Sequence, residues 1–256
     1  MPHPWLAADL ARLYDVFPFD ADVPYYLSLA GEQRGPVLEV ASGSGRVLLP
    51  LARSGHRLTG LDASPAMLAL AREKLQAAGP EVMDRATLIE ADMRSFALGE
   101  TFGLAIIAAK SFAYLLTPAE QLQALRTIAS HLQPGGLLAL DLHHPRPAWL
   151  LEPPGSLRQD LAQDVPEQGV TVLRTETAVS TDLANQIRVI RSVYEIVAAD
   201  GSVTKRFVEW PYRYIYRFEA EHLLERAGLT VEALYGGYEH EPFTSDSPMM
   251  LLLARR

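Results

Sequence analysis

The sequence has no cysteine among its 256 residues. This absence excludes disulfide bonds and thiolate-ligated metal sites, and it fits a reducing, cytoplasmic compartment. Basic runs are also missing, because no run of Lys and Arg is longer than the terminal Arg255-Arg256 and the net charge is −8. Since phosphate binding needs clustered cations, this charge pattern argues against a nucleic-acid partner.

Long hydrophobic runs are absent as well. No stretch reaches the roughly 18 apolar residues that a membrane span requires, and Asp9 and Arg12 interrupt the apolar character of the N-terminus. We therefore expect no signal peptide, no membrane partner and a soluble cytoplasmic protein. Hydrophobic residues still make up 48% of the chain, which is enough for one large α/β domain with a buried core.

Apolar runs of strand length alternate with helical patterns over the middle of the chain. Strands are predicted at Val37–Val40, Arg57–Asp62, Ala86–Ala91, Phe102–Ala108 and Leu137–Leu142. Helices are predicted at Gly45–Ser54, Ser64–Ala78 and Pro118–Leu132. This alternation predicts a Rossmann-like α/β fold with a doubly wound, mostly parallel sheet.

The flanking segments follow other patterns. Residues 1–34 show helical spacing of apolar residues interrupted by two prolines, which predicts a helical lid; the residues are Leu6, Leu10, Leu13, Val16, Phe17, Pro18 and Pro24. Residues 146–169 predict a loop with one short helix, and residues 170–217 show three period-two runs. These runs are Val170–Ser180, Gln186–Ala198 and Val203–Tyr216, with a hairpin turn at Asp200-Gly201.

We therefore divide the chain into a lid (1–34), a Rossmann-like core (35–145), an antiparallel β insertion (146–217) and a C-terminal completion of the core sheet (218–256). The last part combines a helix at Glu219–Ala227 with an antiparallel pair of strands, Val231–Tyr235 and Met249–Ala254. Seven strands in the core sheet are expected from this division. Aromatic residues at 210, 212, 214 and 216 alternate along the third run of the insertion, which suits a buried core or a homodimer face, and Arg213 and Arg217 lie opposite on a face expected to be solvated.

The segment from Leu38 to Arg46 carries the strongest functional pattern. A strand ending in Glu39 runs through a turn with Gly43 and Gly45 into a helix. Glycine permits backbone angles and a close approach that a side chain forbids, so a ligand can lie against the turn and the helix N-terminus. Alone, this pattern also fits a tight turn that binds nothing.

Asp62 ends the next strand, where a carboxylate can accept hydrogen bonds from both ribose hydroxyls. A dinucleotide fingerprint would have a third glycine where Leu48 stands. Moreover, the carboxylate of Glu39 repels phosphate but can accept from an ammonium group. S-adenosylmethionine (SAM) has an α-ammonium, a ribose and no phosphate, so the pattern favours SAM over a nicotinamide dinucleotide.

Asp92 and Met93 follow the third strand. The Asp92 carboxylate can accept from the exocyclic amine of adenine, and the Met93 backbone N–H can donate to a ring nitrogen. Carboxylates at three successive strand ends are what a ligand bound across the sheet edge requires. A helix cap or a solvated turn is the alternative role for Asp92.

Together these segments resemble the class I SAM-dependent methyltransferases over residues 35–145. The matching segments are Glu39–Gly45, Leu61–Leu68, Ala91–Met93 and Leu132–Gly136. Within that class the chain is most similar to glycine N-methyltransferase-like enzymes, through Lys110–Leu115, and to aminosugar N,N-dimethyltransferases, through Leu13–Phe17. The resemblance implies cofactor contacts from Glu39, Ala41, Gly43, Ser44, Gly45, Asp62, Ala63, Met67, Asp92, Met93 and Ala108.

Two departures from the glycine enzyme argue against glycine as substrate. That enzyme has an Asn at the position of Lys110, and an Arg that grips the substrate carboxylate aligns with His143. The resemblance therefore leaves the acceptor open, and the activity that it implies is methyl transfer to an amine or hydroxyl of a small molecule. A SAM-binding regulatory protein without turnover is the alternative.

Methyl transfer from a sulfonium is an in-line displacement, so orientation supplies much of the rate enhancement. A hydroxyl acceptor usually needs a base, and His143 after the fifth strand is the candidate, with His144 and Lys110 as candidate substrate contacts. Tyr14 and Tyr114 are candidates to line the transfer site. Each of these side chains also has a purely structural alternative, as a loop histidine, a solvated lysine or a core aromatic. No metal is expected, because the spacing of His222, His240 and Glu241 fits no ligand template.

Overall fold

The computed structural model describes residues 8–17 and 19–256, and its description of side chains omits residues 8, 9 and 158–161. The expected contributions of Leu6 and Pro18 lie outside the described residues. The helices are α1 (Ala8–Asp15), α2 (Val23–Glu32), α3 (Leu48–Arg53), α4 (Pro65–Ala77), α5 (Pro80–Met83), α6 (Pro118–His131), α7 (Pro147–Leu150) and α8 (Arg217–Arg226). Short 3₁₀ turns cover Ser111–Tyr114 and Pro166–Gln168.

Eleven strands are described. They are β1 (Val37–Val40), β2 (Leu58–Asp62), β3 (Ala86–Glu90), β4 (Phe102–Ile107), β5 (Leu132–His143), β6 (Leu157–Val165), β7 (Val170–Asp182), β8 (Ile187–Ala198), β9 (Val203–Arg213), β10 (Thr230–Tyr235) and β11 (Met249–Arg255). None of the described helices is long and apolar enough to cross a membrane.

A seven-stranded sheet with the order β10-β11-β5-β4-β1-β2-β3 forms the centre of the molecule. β1 pairs in parallel with both β2 and β4, whereas β11 runs antiparallel to β5. The predicted α/β fold with a mostly parallel sheet is therefore confirmed. Because the chain order reverses at β1, a crevice opens between the carboxyl ends of β1 and β4, where open α/β sheets bind ligands.

Helix starts follow from local chemistry. The Ser64 hydroxyl accepts from the Met67 backbone N–H at 3.2 Å and Pro65 occupies the first helical position, as predicted for α4. The predicted start of α3 at Gly45 is wrong, because Gly45 has φ +79° and the helix begins only at Leu48. The two residues in between, Arg46 and Val47, continue the Gly-rich turn and precede the first helical residue.

A second sheet is antiparallel, with the order β6-β7-β8-β9. The insertion was predicted with three strands, and the loop expected within 146–169 is wrong because β6 adds a fourth. β6 lies at the sheet edge, its register shifts between Gln159 and Leu161, and Leu157 is exposed. A bulged edge strand does not keep a regular period-two pattern, so the sequence pattern missed it.

The third predicted run of the insertion ends earlier than expected, at Arg213 instead of Tyr216. The strand face that carries Arg213 was expected to be solvated, but at the C-terminal end of β9 it is buried. The Arg213 side chain pairs with Glu219 at 2.6 Å and with the Gln121 amide oxygen at 3.0 Å. Tertiary contact with α6 and α8 therefore overrides the exposure that strand alternation predicts.

Helix α1 packs between α4 and the second sheet. Its residues Ala11, Leu13 and neighbouring Phe17 pack against α4 and against the inner face of the second sheet. On the second sheet the contacted side chains are Val172, Tyr194 and Val208. This packing brings the N-terminal segment over the crevice of the central sheet.

Candidate active site

A cavity of about 350 Å³ opens at the reversal of the central sheet, within the size range of small-molecule sites. Its wall comes from the carboxyl ends of β1 to β4, from α1 and from β9. All predicted cofactor contacts except Gly45 lie in this wall: Glu39, Ala41, Gly43, Ser44, Asp62, Ala63, Met67, Asp92, Met93 and Ala108. The predicted transfer-site residues Tyr14 and Tyr114 also line it.

Glu39 is the most distinctive acidic group of the wall. It is only 3% exposed, and its Oε2 atom has no hydrogen-bond partner among the described residues. Burial raises the pKa of Glu39 to about 8, an effect that the positive charge of Arg46 opposes and the charges of Asp22 and Asp62 reinforce. A buried carboxyl oxygen without a partner is costly, so the orphaned Oε2 atom points to a hydrogen-bond partner supplied by a ligand.

The two glycines of the turn have different tasks. A Cβ atom on Gly43 would meet nothing within 4 Å, whereas one on Gly45 would lie 3.2 Å from Cβ of Ala71 in α4. Both have positive φ, +54° and +79°. Gly43 therefore keeps the cavity open, and Gly45 lets the turn pack on α4, which explains why Gly45 is not in the wall.

Leu48 stands where a dinucleotide fingerprint has its third glycine, and the structure shows how the sheet accommodates it. Leu48 is fully buried, and a Cβ atom on Gly60 of β2 would lie 2.3 Å from Leu48 Cδ1. The glycine that allows close packing of helix and strand is thus Gly60 on β2, and not a residue of the helix. The close packing is kept, and the helix N-terminus is left without the glycine that pyrophosphate binding uses.

Asp62 organises the Gly-rich turn as well as facing the cavity. Its Oδ2 accepts from the Gly43 backbone N–H and its Oδ1 from the Ser64 backbone N–H, both at 2.8 Å. Burial raises the pKa of Asp62, and these amide donors oppose the shift. Each carboxylate oxygen has a second lone pair, so the group can still accept from a ligand's hydroxyls.

Asp92 has a neighbour that sequence analysis missed. The Arg94 guanidinium lies 2.6 Å from Asp92 and 2.6 Å from Glu120 of α6, and all three residues line the cavity. The hydrogen bond from Arg94 lowers the pKa of Asp92. Arg94 thus holds the Asp92 carboxylate ionised and orients it at the edge of the third strand.

Arg46 is the second cation of the wall, and sequence analysis gave it no role. Its Nη2 lies 2.7 Å from Oδ2 of the buried Asp22, and its Nη1 donates to the Phe19 carbonyl at 2.6 Å. Its position directly after Gly45, at the start of a helix beside an acidic strand end, was the available signal. Arg46 and Glu39 both line the cavity, and the positive charge of Arg46 opposes the effect of burial on the pKa of Glu39.

Polar contacts connect the segment around α1 to the Gly-rich turn and to α4. Asp15 accepts from the Ser44 hydroxyl and pairs with Lys74 of α4 at 2.7 Å. Tyr14 beside it lines the cavity, and burial raises the pKa of Tyr14 while the nearby Arg46 guanidinium opposes that shift. These contacts place an N-terminal tyrosine beside the donor turn.

Besides Gly45, three predicted catalytic or substrate residues do not line the cavity. His143 packs in a cluster with the tilted rings of Trp149 and Tyr212, at centroid distances of 5.6 and 5.8 Å. Burial together with the Lys110 charge lowers the pKa of His143 to about 3. His144 donates through Nδ1 to the Ser247 carbonyl at 2.8 Å. The expectation that both face the ligand is therefore corrected, because the His143 ring lies against Tyr212 of the second sheet and the His144 ring lies against Phe243 in the segment between β10 and β11.

Lys110 also points away from the cavity. Its ammonium group lies 3.4 Å from the buried Asp141 carboxylate and 3.2 Å from the Tyr238 hydroxyl. The prediction that Lys110 contacts the substrate is therefore corrected, because its ammonium group pairs with a buried carboxylate inside the protein. Among the described residues there is also no cluster of three or more His, Cys, Asp or Glu that could hold a metal ion.

Fold and site together define a class I SAM-dependent methyltransferase, with donor-site chemistry at the reversal of a seven-stranded sheet. Residues 37–136 match the family model described as a methyltransferase domain. Over 90% of this chain and 93% of its own length, a Streptomyces venezuelae dTDP-3-amino-3,4,6-trideoxy-alpha-D-glucopyranose N,N-dimethyltransferase is 29% identical. Rat glycine N-methyltransferase is 32% identical over 59% of this chain and 56% of its own.

The solved structure of DesVI from Streptomyces venezuelae is 25% identical and covers 96% of this chain and 94% of its own, with a TM-score of 0.72. The chain belongs to the class I SAM-dependent methyltransferases, and SAM is its methyl donor. The resemblance predicted from the sequence is thereby confirmed at the level of family, fold and cofactor.

Proposed function

We propose that the protein is a SAM-dependent N-methyltransferase of a small molecule, with an amino sugar as acceptor class. The observation that carries this proposal is the part of the cavity wall that comes from α1, from the segment after β4 and from β9. This part of the wall consists of Tyr14, Ser111, Tyr114, Leu115, Trp210 and Pro211. Among the described residues, the wall contains neither histidine nor lysine. A hydroxyl acceptor usually needs a base, for which histidine is the most frequent choice, whereas an amine needs only to arrive neutral.

The residues of the donor half have complementary roles in this proposal. Glu39 accepts from the α-ammonium of SAM and Arg46 pairs with its α-carboxylate. Asp62 accepts from the ribose hydroxyls, while Asp92 and the Met93 backbone N–H bind adenine. The orphaned Oε2 of Glu39 supports the fit, because no described residue satisfies it.

Bound SAM supplies an electrophilic methyl carbon on a sulfonium. The residues of the chain orient the acceptor toward that carbon and exclude water, with Tyr14 and Tyr114 at the sides of the transfer site. Since orientation converts a bimolecular displacement into an effectively intramolecular one, proximity supplies most of the rate enhancement. The acceptor nitrogen loses its proton before transfer, so the rate follows the pKa of the acceptor amine.

The choice of an amino sugar rests on the named relatives and on charge. Sugar N,N-dimethyltransferases match this chain over 90% of its length. An amino acid such as glycine would need a cation for its carboxylate at the acceptor side, and Lys110 is turned toward Asp141 instead. The aromatic rings of Tyr14, Tyr114 and Trp210 suit the apolar face of a sugar ring.

The test is a matched set of acceptors incubated with SAM, followed by mass spectrometry of the products. The set consists of dTDP-3-amino-3,6-dideoxyglucose, the same compound with a 3-hydroxyl group, and glycine. Methylation of the amino sugar alone is the expected result. Methylation of the hydroxyl compound would overturn N-transfer, and binding of SAM without any turnover on this set and on a broader amine panel would support a regulatory SAM-binding protein instead.

We also propose a homodimer through the outer face of the second sheet. Val193 pairs across strands with Phe207 on this face, and Phe207 is 64% exposed. An exposed aromatic beside aliphatic residues on a sheet is typical of an interface. Sedimentation of wild type and of Phe207→Glu tests this proposal, with a dimer and a monomer expected; a monomeric wild type would refute it.

A further inference from the structure

The turn that follows β4 has an unusual backbone. Ala109 and Lys110 both have left-handed conformations, with φ +54° and +59°, although neither is glycine. The Cβ atom of an L-residue crowds the backbone in this region, so two such residues in succession persist only when their surroundings hold them there. Strain of this kind is concentrated at functional sites.

The strained turn forms part of the cavity wall. Ala108, Ala109 and Ser111 line the cavity, and Tyr114 continues the same wall from the adjoining 3₁₀ turn. Lys110 lies between these residues and points to the opposite side. The segment therefore separates the ligand from the Lys110 side chain by its own backbone.

On that opposite side the Lys110 ammonium group has a set of partners. It lies 3.4 Å from Oδ2 of Asp141 and donates to the Tyr238 hydroxyl at 3.2 Å, and Tyr238 in turn donates to the same Asp141 oxygen. The rings of Phe19 and Tyr238 lie 5.5 and 5.6 Å from Lys110 Nζ. Asp141 on β5 is completely buried.

Asp141 depends on this lysine. Burial raises the pKa of Asp141, whereas the positive charge of Lys110 and the hydrogen bond from Tyr238 lower it. Removing one partner of a buried ion pair leaves an uncompensated charge and is strongly destabilising. The pair thus links the central strand β5 to the turn after β4 through a single long side chain.

We propose that Lys110 is a positioning residue that holds the left-handed turn Ala109-Lys110, and with it the cavity wall beside the methyl donor, through its ion pair with Asp141. This inference rests on the proposed function, because it takes the cavity as the methyl-transfer site. Lys110 does not touch substrate in this assignment. The pair keeps the backbone of Ala108 and Ala109 close to the site where SAM binds.

The test is calorimetric measurement of SAM affinity in variants of the strained turn. Lys110→Met should raise the Kd for SAM about tenfold as the left-handed conformation is released, and Lys110→Arg should retain most of the affinity. Adding Ala109→Gly to Lys110→Met should recover part of the loss, since glycine adopts positive φ without a Cβ penalty. Lys205→Met is the matched control, because Lys205 on β9 pairs with Glu195 on β8 and is half exposed.

Because Lys110→Met leaves Asp141 without a counter-ion, Lys110→Met/Asp141→Asn serves as a second variant that removes both charges. Persistent loss of SAM affinity in this double variant supports the positioning role. Wild-type affinity in it would overturn the proposal, since Lys110 would then only neutralise Asp141. Failure of wild-type protein to bind SAM would instead contradict the proposed function itself.

Discussion

Glu39→Gln tests the donor site most directly, because it removes one charge and almost no volume. The Glu39 carboxylate is 3% exposed, and its Oε2 has no partner among the described residues. A hydrogen bond to a charged group contributes roughly 1.5–3 kcal/mol. Loss of the carboxylate should therefore weaken SAM binding by about 10- to 150-fold wherever Glu39 is ionised.

The pKa of Glu39 makes this effect depend on pH. With a pKa of about 8, the carboxyl is mostly protonated at neutral pH and must release its proton when it binds an ammonium group. Between pH 6 and 8 the affinity of wild type for SAM should thus rise, approaching tenfold per pH unit at the lower end of the range. Glu39→Gln should show a flat profile there, so the difference between the two proteins grows with pH.

Calorimetry in two buffers of different ionisation enthalpy measures both the affinity and the proton released. Wild type should release close to one proton at the acidic end of this range, and Glu39→Gln none. Arg46, Asp22 and Asp62 surround the same carboxyl and are retained in the variant, so the comparison isolates Glu39. A flat wild-type profile, or the same slope in both proteins, would refute the reasoning.

The same pKa has a consequence for stability. Because the folded-state pKa of Glu39 lies above its ordinary value of 4.5, the folded state binds more protons than the unfolded state between these values. The contribution of Glu39 to stability is therefore complete below about pH 4.5 and is lost as the pH rises through about 8. In the absence of SAM, Glu39→Gln should lose less stability than wild type over this window, as measured by urea unfolding.

Three further predictions concern the Gly-rich turn and the strand β2 beside it. Asp62→Ala should raise the Kd for SAM at least tenfold in calorimetry, because two backbone amides and the ribose lose their acceptor. The control is Asp182→Ala, which also removes an acceptor of two backbone amides, but in an exposed turn. An equal Kd in both variants would contradict the assignment. Gly43→Val should abolish SAM binding while the fold persists, because the side chain enters the cavity. Gly55→Val is the control, since it adds comparable strain at φ +93° with nothing within 4 Å. Retained SAM affinity in Gly43→Val would disprove the close approach. Gly60→Ala should lower the free energy of unfolding by about 1–3 kcal/mol through overpacking against Leu48. Adding Leu48→Ala to this variant should relieve the clash. If the stability losses of the two substitutions are strictly additive in urea unfolding, the contact is not present.

The elements of the central sheet could be predicted from local pattern. Strands such as Val37–Val40 are short apolar runs bounded by turn residues, and the start of α4 is encoded by Ser64 and Pro65 themselves. The β6 strand could not be predicted in the same way. It is an edge strand whose register shifts between Gln159 and Leu161, and such a shift interrupts a period-two pattern.

The candidate site divides along a similar line. Glu39, Asp62 and Asp92 could be placed together because the carboxyl ends of parallel strands meet at one edge of a sheet. The partners of these groups could not. Arg46 reaches Asp22 and Arg94 reaches Glu120 across 24 and 26 positions of sequence, and no local pattern encodes such a distance.

By itself the sequence determined the βα alternation, the two glycines that open the turn and the carboxylates that follow three strands, since each depends on neighbours within a few residues. Only the tertiary structure decided which side chains after β4 and β5 face the ligand. Lys110 turns away because its ammonium group pairs with the buried Asp141, and His143 turns away because its ring packs against Trp149 and Tyr212. Both directions are set by contacts with distant segments, which bring a buried carboxylate to the lysine and an aromatic pair to the histidine.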